Sequence, residues 1–328
     1  MSYGGFSFIF FRDSVTENVT ENVTDRKLPS HQIVLNLLKE NPMRSREETA
    51  GIMGKTMIRL SRESMEANFR KYLETVFEHR EIISAGVRNI AITRENMEDA
   101  VKRAFEACFH DSYSDIDLSV KVCLPSDGSV TPDQYMKRID RFGVNSDTAL
   151  GWCLVPENKM YRMIFRDGMR YDFGFEFEYA DNIKLDLGEQ PDAGEQNDNW
   201  PTENINRFWF VQIQALGKLY RKDYLISCHL ANMNCNETLV MQMVLRDLKY
   251  GTNHHRYGYA EELEYMNDLG KAPYRTGDQI FNRIADCLYA AALTYDRLAK
   301  EFYPQYQNRS DSFFAIWDCY EASRKSVR

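Results

Sequence analysis

Asp115 and Asp117 are the residues whose type and spacing most clearly suggest chemistry, within the stretch Asp111-Ser112-Tyr113-Ser114-Asp115-Ile116-Asp117-Leu118-Ser119-Val120. On an extended chain, side chains alternate between faces. Asp115, Asp117, Ser119 and Lys121 therefore share one face, and Ile116, Leu118, Val120 and Val122 share the other. Carboxylates so placed repel each other unless a cation lies between them, and hard oxygen donors of this kind suit Mg²⁺. The chemical reading is a divalent-cation site; the plain alternative is a solvated strand end with two surface acids.

A second alternating stretch adds a third acid. Asp167-Gly168 is a strong hairpin signal and predicts strands over 159–166 and 169–179. In the second strand Tyr171, Phe173, Phe175, Phe177 and Tyr179 fall on one face, and Asp172, Gly174, Glu176 and Glu178 on the other. The aromatic face packs on helices in this reading. Asp172 and Glu176 then lie on the same kind of polar face as Asp115 and Asp117, within reach if the strands share a sheet.

The elements that would hold these residues follow from periodicity. Ile58, Met65, Phe69, Tyr72, Leu73, Val76 and Phe77 recur at mostly three- and four-residue spacings and predict a core-facing helix within 46–80. An apolar strand over 87–92 and a helix over 95–109 precede the Asp115 strand. Pro132 and Asp133 open a further helix running to about Arg141. Gly51-Ile52-Met53-Gly54-Lys55-Thr56 ends like a phosphate loop but has Thr49 where the pattern needs glycine, and no strand before it, so it is rejected. The 181–203 loop carries Asp181, Asp186, Glu189, Asp192, Glu195, Asp198 and Glu203 against Lys184 alone and reads as a domain boundary. Beyond it 205–233, 237–250, 277–302 and 310–323 read as helices. The fold expected is α+β, with an N-terminal extension over 1–45, a mixed-sheet domain with flanking helices over 46–200 and a helical bundle domain over 201–328.

Composition narrows the partners. The chain has 328 residues and a formal net charge of −8, and a broad basic surface for nucleic acid is not expected of it. Seven scattered cysteines form no disulfide framework and point to a reducing cytoplasm. No run approaches the ~18 apolar residues of a membrane span. Placed beside a cleft, the acidic loop would attract a cationic substrate.

The order of features, an Asp-x-Asp strand, a hairpin bearing a third acid, then a helical domain, resembles the nucleotidyltransferase superfamily. More narrowly it resembles the streptomycin-type aminoglycoside 6-adenylyltransferases. The similar segments are Phe165-Arg166-Asp167-Gly168-Met169-Arg170-Tyr171-Asp172, Arg207-Phe208-Trp209-Phe210, Gly217-Lys218-Leu219-Tyr220-Arg221-Lys222-Asp223-Tyr224-Leu225 and Leu298-Ala299-Lys300-Glu301-Phe302-Tyr303-Pro304. The resemblance implies Mg²⁺ held by Asp115 and Asp117, with Asp172 completing the site or acting as base. It also implies ATP as co-substrate, with Lys218 and Arg221 on its triphosphate, and AMP transfer to a hydroxyl of a small cationic acceptor such as an aminoglycoside. The superfamily's Gly-Ser pair before the Asp-x-Asp has no counterpart in Lys102-Arg103-Ala104-Phe105-Glu106-Ala107. Ser112 and Ser114 are then the substitute phosphate donors, or the chain is a silent relative that binds nucleotide or a protein partner.

Three weaker groupings carry plainer readings. Cys228, His229 and Cys235 have the wrong number and spacing for structural zinc, and Cys228 fits a helix core position. His254-His255 belongs to a polar loop, and Trp209 to the helical core.

Overall fold

A computed structural model describes residues 62–109, 111, 113–189, 205–251 and 263–326. The proposed extension over 1–45, the Gly51–Thr56 segment, Ser112, the acidic residues beyond Glu189 and His254-His255 lie outside the described residues.

The helix opening the described chain, α1 (Arg62–Phe77), turns Met65, Phe69, Tyr72, Leu73 and Val76 inward, as their spacing requires. It leads into β1 (Ile82–Val87) and β2 (Ile90–Ile92). The single strand expected over 87–92 is instead a hairpin turn and a short return strand. Arg88, at φ 53°, sits in the left-handed region that ends β1. Next come α2 (Met97–Cys108), β3 (Ile116–Pro125) and α3 (Pro132–Met136). A reciprocal capping box starts α3: Gln134 N–H donates to the Thr131 hydroxyl, and Thr131 N–H donates to Gln134 Oε1. This helix ends five residues before the expected Arg141, and a 3₁₀ turn over Ile139–Phe142 takes its place.

Three strands follow, β4 (Ala149–Val155), β5 (Met160–Phe165) and β6 (Arg170–Ala180). The Asp167-Gly168 hairpin forms as expected, with Gly168 at φ 89° and Asp167 Oδ1 accepting from Met169 N–H. The six strands make one mixed sheet in the order β2-β1-β3-β6-β5-β4. Its centre is the parallel pair β3/β6; its other pairings are antiparallel.

The rest of the described chain is mostly helical: α4 (Ile205–Tyr220), α5 (Tyr224–Tyr250), α6 (Glu264–Asp268), α7 (Gln279–Phe302) and α8 (Ser310–Ser326). Expected as one helix to Met233, the 205–233 stretch breaks at 221–223. Lys222 takes φ 62°, and Asp223 caps α5 by accepting from Ile226 N–H. Cys228, read as a core position, is exposed on α5.

Two hydrophobic cores lie on opposite faces of the sheet. Ile116, Leu118, Val120, Tyr171, Phe173 and Phe175 pack against α1 and α2, with the Tyr72 and Tyr171 rings 4.5 Å apart. Tyr179, placed on the same face by alternation, is exposed near the end of β6. On the other face Leu150 of β4 and Ile164 of β5 join Phe208, Trp209, Ile213 and the helices behind them. At Gly151, α4 comes so close to β4 that a Cβ would lie 2.4 Å from the Asn206 carbonyl oxygen and 2.5 Å from Phe210 N. Trp209 is fully buried, as expected. Among the described residues no helix is long and apolar enough to cross a membrane.

Candidate acidic site on the sheet

The second face of the sheet is covered by helices only in part. Under α4, its β4–β5 end is apolar; along β3 and β6 it is polar, and the three predicted aspartates lie there. The strand register accounts for their proximity. Asp117 of β3 pairs with Asp172 of β6, and Asp172 pairs with Arg162 of β5, which in turn pairs with Cys153 of β4. One row across four strands therefore reads carboxylate, carboxylate, guanidinium, thiol. Asp115 lies just before β3, two residues from Asp117.

Each carboxylate meets a different field. Asp172 is largely buried, and burial raises its proton affinity; Arg162 opposes that, while the nearby Asp115 and Asp117 reinforce it. Arg162 Nη2 stands 3.2 Å from Asp172 Oδ2. Asp115 is partly exposed, with Arg170 Nη2 at 3.5 Å from its Oδ2. Arg170 is buried against Gly217 of α4 and donates to the Tyr113 carbonyl at 3.2 Å, so it links the Asp115 turn to the helical half. Burial pushes the Cys153 thiol up to about 11, against the opposing charges of Arg162 and Arg207.

The turn before Asp115 is held by Arg221. Its guanidinium grips Asp111 with two hydrogen bonds, Nε to Oδ2 at 3.2 Å and Nη2 to Oδ1 at 2.9 Å. Asp111 also accepts from Tyr113 N–H and from the Ser114 hydroxyl, at 2.9 and 3.0 Å. Burial would raise the Asp111 carboxyl, but Arg221 and these donors hold it below its ordinary value. Tyr113 completes the anchor, its hydroxyl donating to the Tyr320 carbonyl of α8.

The structure thus brings together Asp115, Asp117 and Asp172 on one face and sets Arg221 at the turn that presents them. Arg221 lies just past the end of α4 rather than on the same helical face as Lys218. Lys218 pairs with Asp223 at 3.4 Å, across the turn between α4 and α5. Ser114 faces Asp111, and Ser112 lies outside the described residues. Sequence reasoning missed Arg162, although a signal existed: Arg162 and Asp172 are equidistant from Asp167, the centre of the hairpin. The Asp111–Arg221 pair had no comparable local signal.

A divalent cation suits these donors in type, since three carboxylates on one face repel one another. Among the described residues, however, no three or more His, Cys, Asp or Glu side chains converge to hold a metal ion. Arg162 and Arg170 draw Asp172 and Asp115 toward themselves, and these contacts must open for the carboxylates to converge.

No protein-family model matches the chain, and no curated protein matches it at a significant level.

Proposed function

We propose that the chain is a Mg²⁺-dependent nucleotidyltransferase that moves AMP from ATP to a hydroxyl of a small acceptor, with a cationic aminoglycoside-like molecule as the acceptor class. The observation that carries this reading is the Asp117–Asp172 register on adjacent parallel strands, with Asp115 two residues away on the same polar face. Asp115 and Asp117 would hold the cation, which when bound supplies charge neutralisation at the phosphates, and Asp172 is left to act as base. Asp172 is the best-placed base, because burial raises its affinity for a proton. The acceptor oxygen gives its proton to Asp172 and bonds to the α-phosphorus, while the bond from that phosphorus to the pyrophosphate oxygen breaks. Arg221 and Lys218, now held by Asp111 and Asp223, would have to exchange those carboxylates for the triphosphate to meet it. Acids on the 181–203 loop would supply negative potential for a cationic acceptor.

One observation favours the second reading, a silent relative that binds nucleotide or a protein partner. Arg162 and Arg170 already neutralise two of the three carboxylates, and α2 runs through the segment where a phosphate-binding Gly-Ser turn would stand. Calorimetric titration with a non-hydrolysable ATP analogue separates the two. The nucleotidyltransferase reading expects Mg²⁺ to tighten binding, with Asp117→Asn losing about tenfold or more of that gain. Binding that is absent, or indifferent to Mg²⁺ and to Asp117, would overturn it.

A further inference from the structure

Arg162 and Arg170 share the acidic face without filling their own hydrogen-bonding capacity. Arg162 of β5 pairs in register with Asp172 of β6, and Arg170 lies two residues before Asp172, so the two are diagonal neighbours on one face of an antiparallel ladder. Residues so related stand about 7–8 Å apart, a gap that two arginine side chains can close around one ligand. Each guanidinium reaches a carboxylate through Nη2, Arg162 to Asp172 Oδ2 at 3.2 Å and Arg170 to Asp115 Oδ2 at 3.5 Å. Both contacts are longer than the ~2.7–2.9 Å of a close charge-assisted bond. The Nε–H beside each is buried and meets no acceptor among the described residues. Arg221 shows the same edge of a guanidinium in full use, its Nε and Nη2 holding both oxygens of Asp111. In Arg162 and Arg170 that edge is half used, and for Arg170, only 6% exposed, an unmet donor is costly.

We propose that Arg162 and Arg170 form an oxyanion clamp for a phosphate group, with Asp172 and Asp115 as internal competitors that the phosphate oxygens displace. A planar guanidinium fork matches phosphate as well as carboxylate, and a terminal phosphate offers three oxygens, enough to engage both forks at once. The face is open to such a ligand. Arg162 and Asp115 are partly exposed, and Gly174, the next residue after Asp172 on this face, has open space where a Cβ would stand. Two ion pairs that hold the carboxylates apart thus become, in one exchange, the donors for phosphate. In the nucleotidyltransferase reading the group belongs to the triphosphate of ATP, and the assignment rests on that reading for the source of the phosphate. The clamp itself needs neither a cation nor an acceptor.

The test is calorimetric titration of the full chain with inorganic tripolyphosphate in a metal-free buffer containing a chelator. Wild type should bind saturably, and Arg162→Lys and Arg170→Lys, which keep the charge and lose the fork, should each bind about tenfold more weakly. Asp172→Asn frees Arg162 from its competitor and should bind about fivefold more tightly, a gain that disappears when Arg162→Lys is added. No binding by wild type, equal affinity in wild type and Arg162→Lys, or a gain in Asp172→Asn that survives Arg162→Lys would overturn the clamp. Arg162 is partly exposed, so its variant decides the matter even if Arg170→Lys folds poorly. The ATP-analogue titration keeps the two readings apart. Mg²⁺-dependent nucleotide binding with tripolyphosphate affinity indifferent to both arginines overturns the clamp alone. Arginine-dependent tripolyphosphate binding without Mg²⁺-dependent nucleotide binding supports the clamp and overturns the nucleotidyltransferase reading.

Discussion

At the scale of single residues, the carboxylates around the polar face respond to pH in opposite senses. Asp111 is held below the ordinary range by Arg221, so their pairing stabilises the fold above a pH of about 3.9 and is lost as pH falls through the lowered folded value. Asp172 has its proton affinity raised by burial, so it favours the fold while protonated, and that contribution fades as pH rises through its folded value. Arg221→Gln should therefore cost about 0.5–1 kcal/mol near pH 7, a modest figure because the pair is partly exposed and screened. The cost should shrink as pH falls below about 3.9 and vanish below the lowered folded value, and urea unfolding across an acid pH series measures both. How much was legible here depended on distance along the chain. Asp115, Asp117 and Asp172 were readable because strand alternation assigns each to a face within a few residues. Arg221 was singled out for a phosphate and is found on Asp111, since a contact between a turn and a helix end over a hundred residues later leaves no local pattern.

Elements showed the same division. The alternation of β3 and the Asp167-Gly168 turn carried their own signals, and both form. β4 carried none, because Ala149-Leu150-Gly151-Trp152-Cys153-Leu154-Val155 is apolar on both faces, and its first four residues are buried. The break after α4 was equally silent, since a lysine in the left-handed region has no sequence preference that announces it. Gly151 is where this packing can be tested. A methyl group there meets the Asn206 and Phe210 backbone, which cannot rotate away as a side chain could. Gly151→Ala should destabilise by about 3 kcal/mol, seen as a lower urea midpoint. Gly174, on the same sheet with open space around its Cβ position, should tolerate alanine far better.

For the whole molecule, the question is what makes two cores behave as one. The described residues cluster as a single unit, and Arg309 is a principal tie within it. Fully buried, Arg309 donates through Nη1 to the Leu150 carbonyl of β4 at 2.9 Å and to Asn206 Oδ1 of α4 at 2.6 Å. Asp296 of α7 fixes its position by accepting from the Arg309 and Ser310 N–H groups and from the Tyr306 hydroxyl. Arg309→Ala should cost about 3 kcal/mol and leave two polar groups buried without their donor. Tryptophan fluorescence, to which Trp209 and Trp317 of the helical core contribute, should then lose its coincidence with far-ultraviolet dichroism in urea unfolding.

The parallel pairing of β3 with β6 has a consequence for how the molecule reaches this state. β3 is made early in the chain, yet its central partner follows two further strands, so the pairing closes a loop of some fifty residues. The meander β4-β5-β6 is local and can zip first, carrying Asp172 and Arg162 already side by side. Asp117 then docks against an aspartate that has its arginine in place. That order of assembly would spare the folding chain from bringing two bare carboxylates together, because Arg162 already faces Asp172 when β3 arrives.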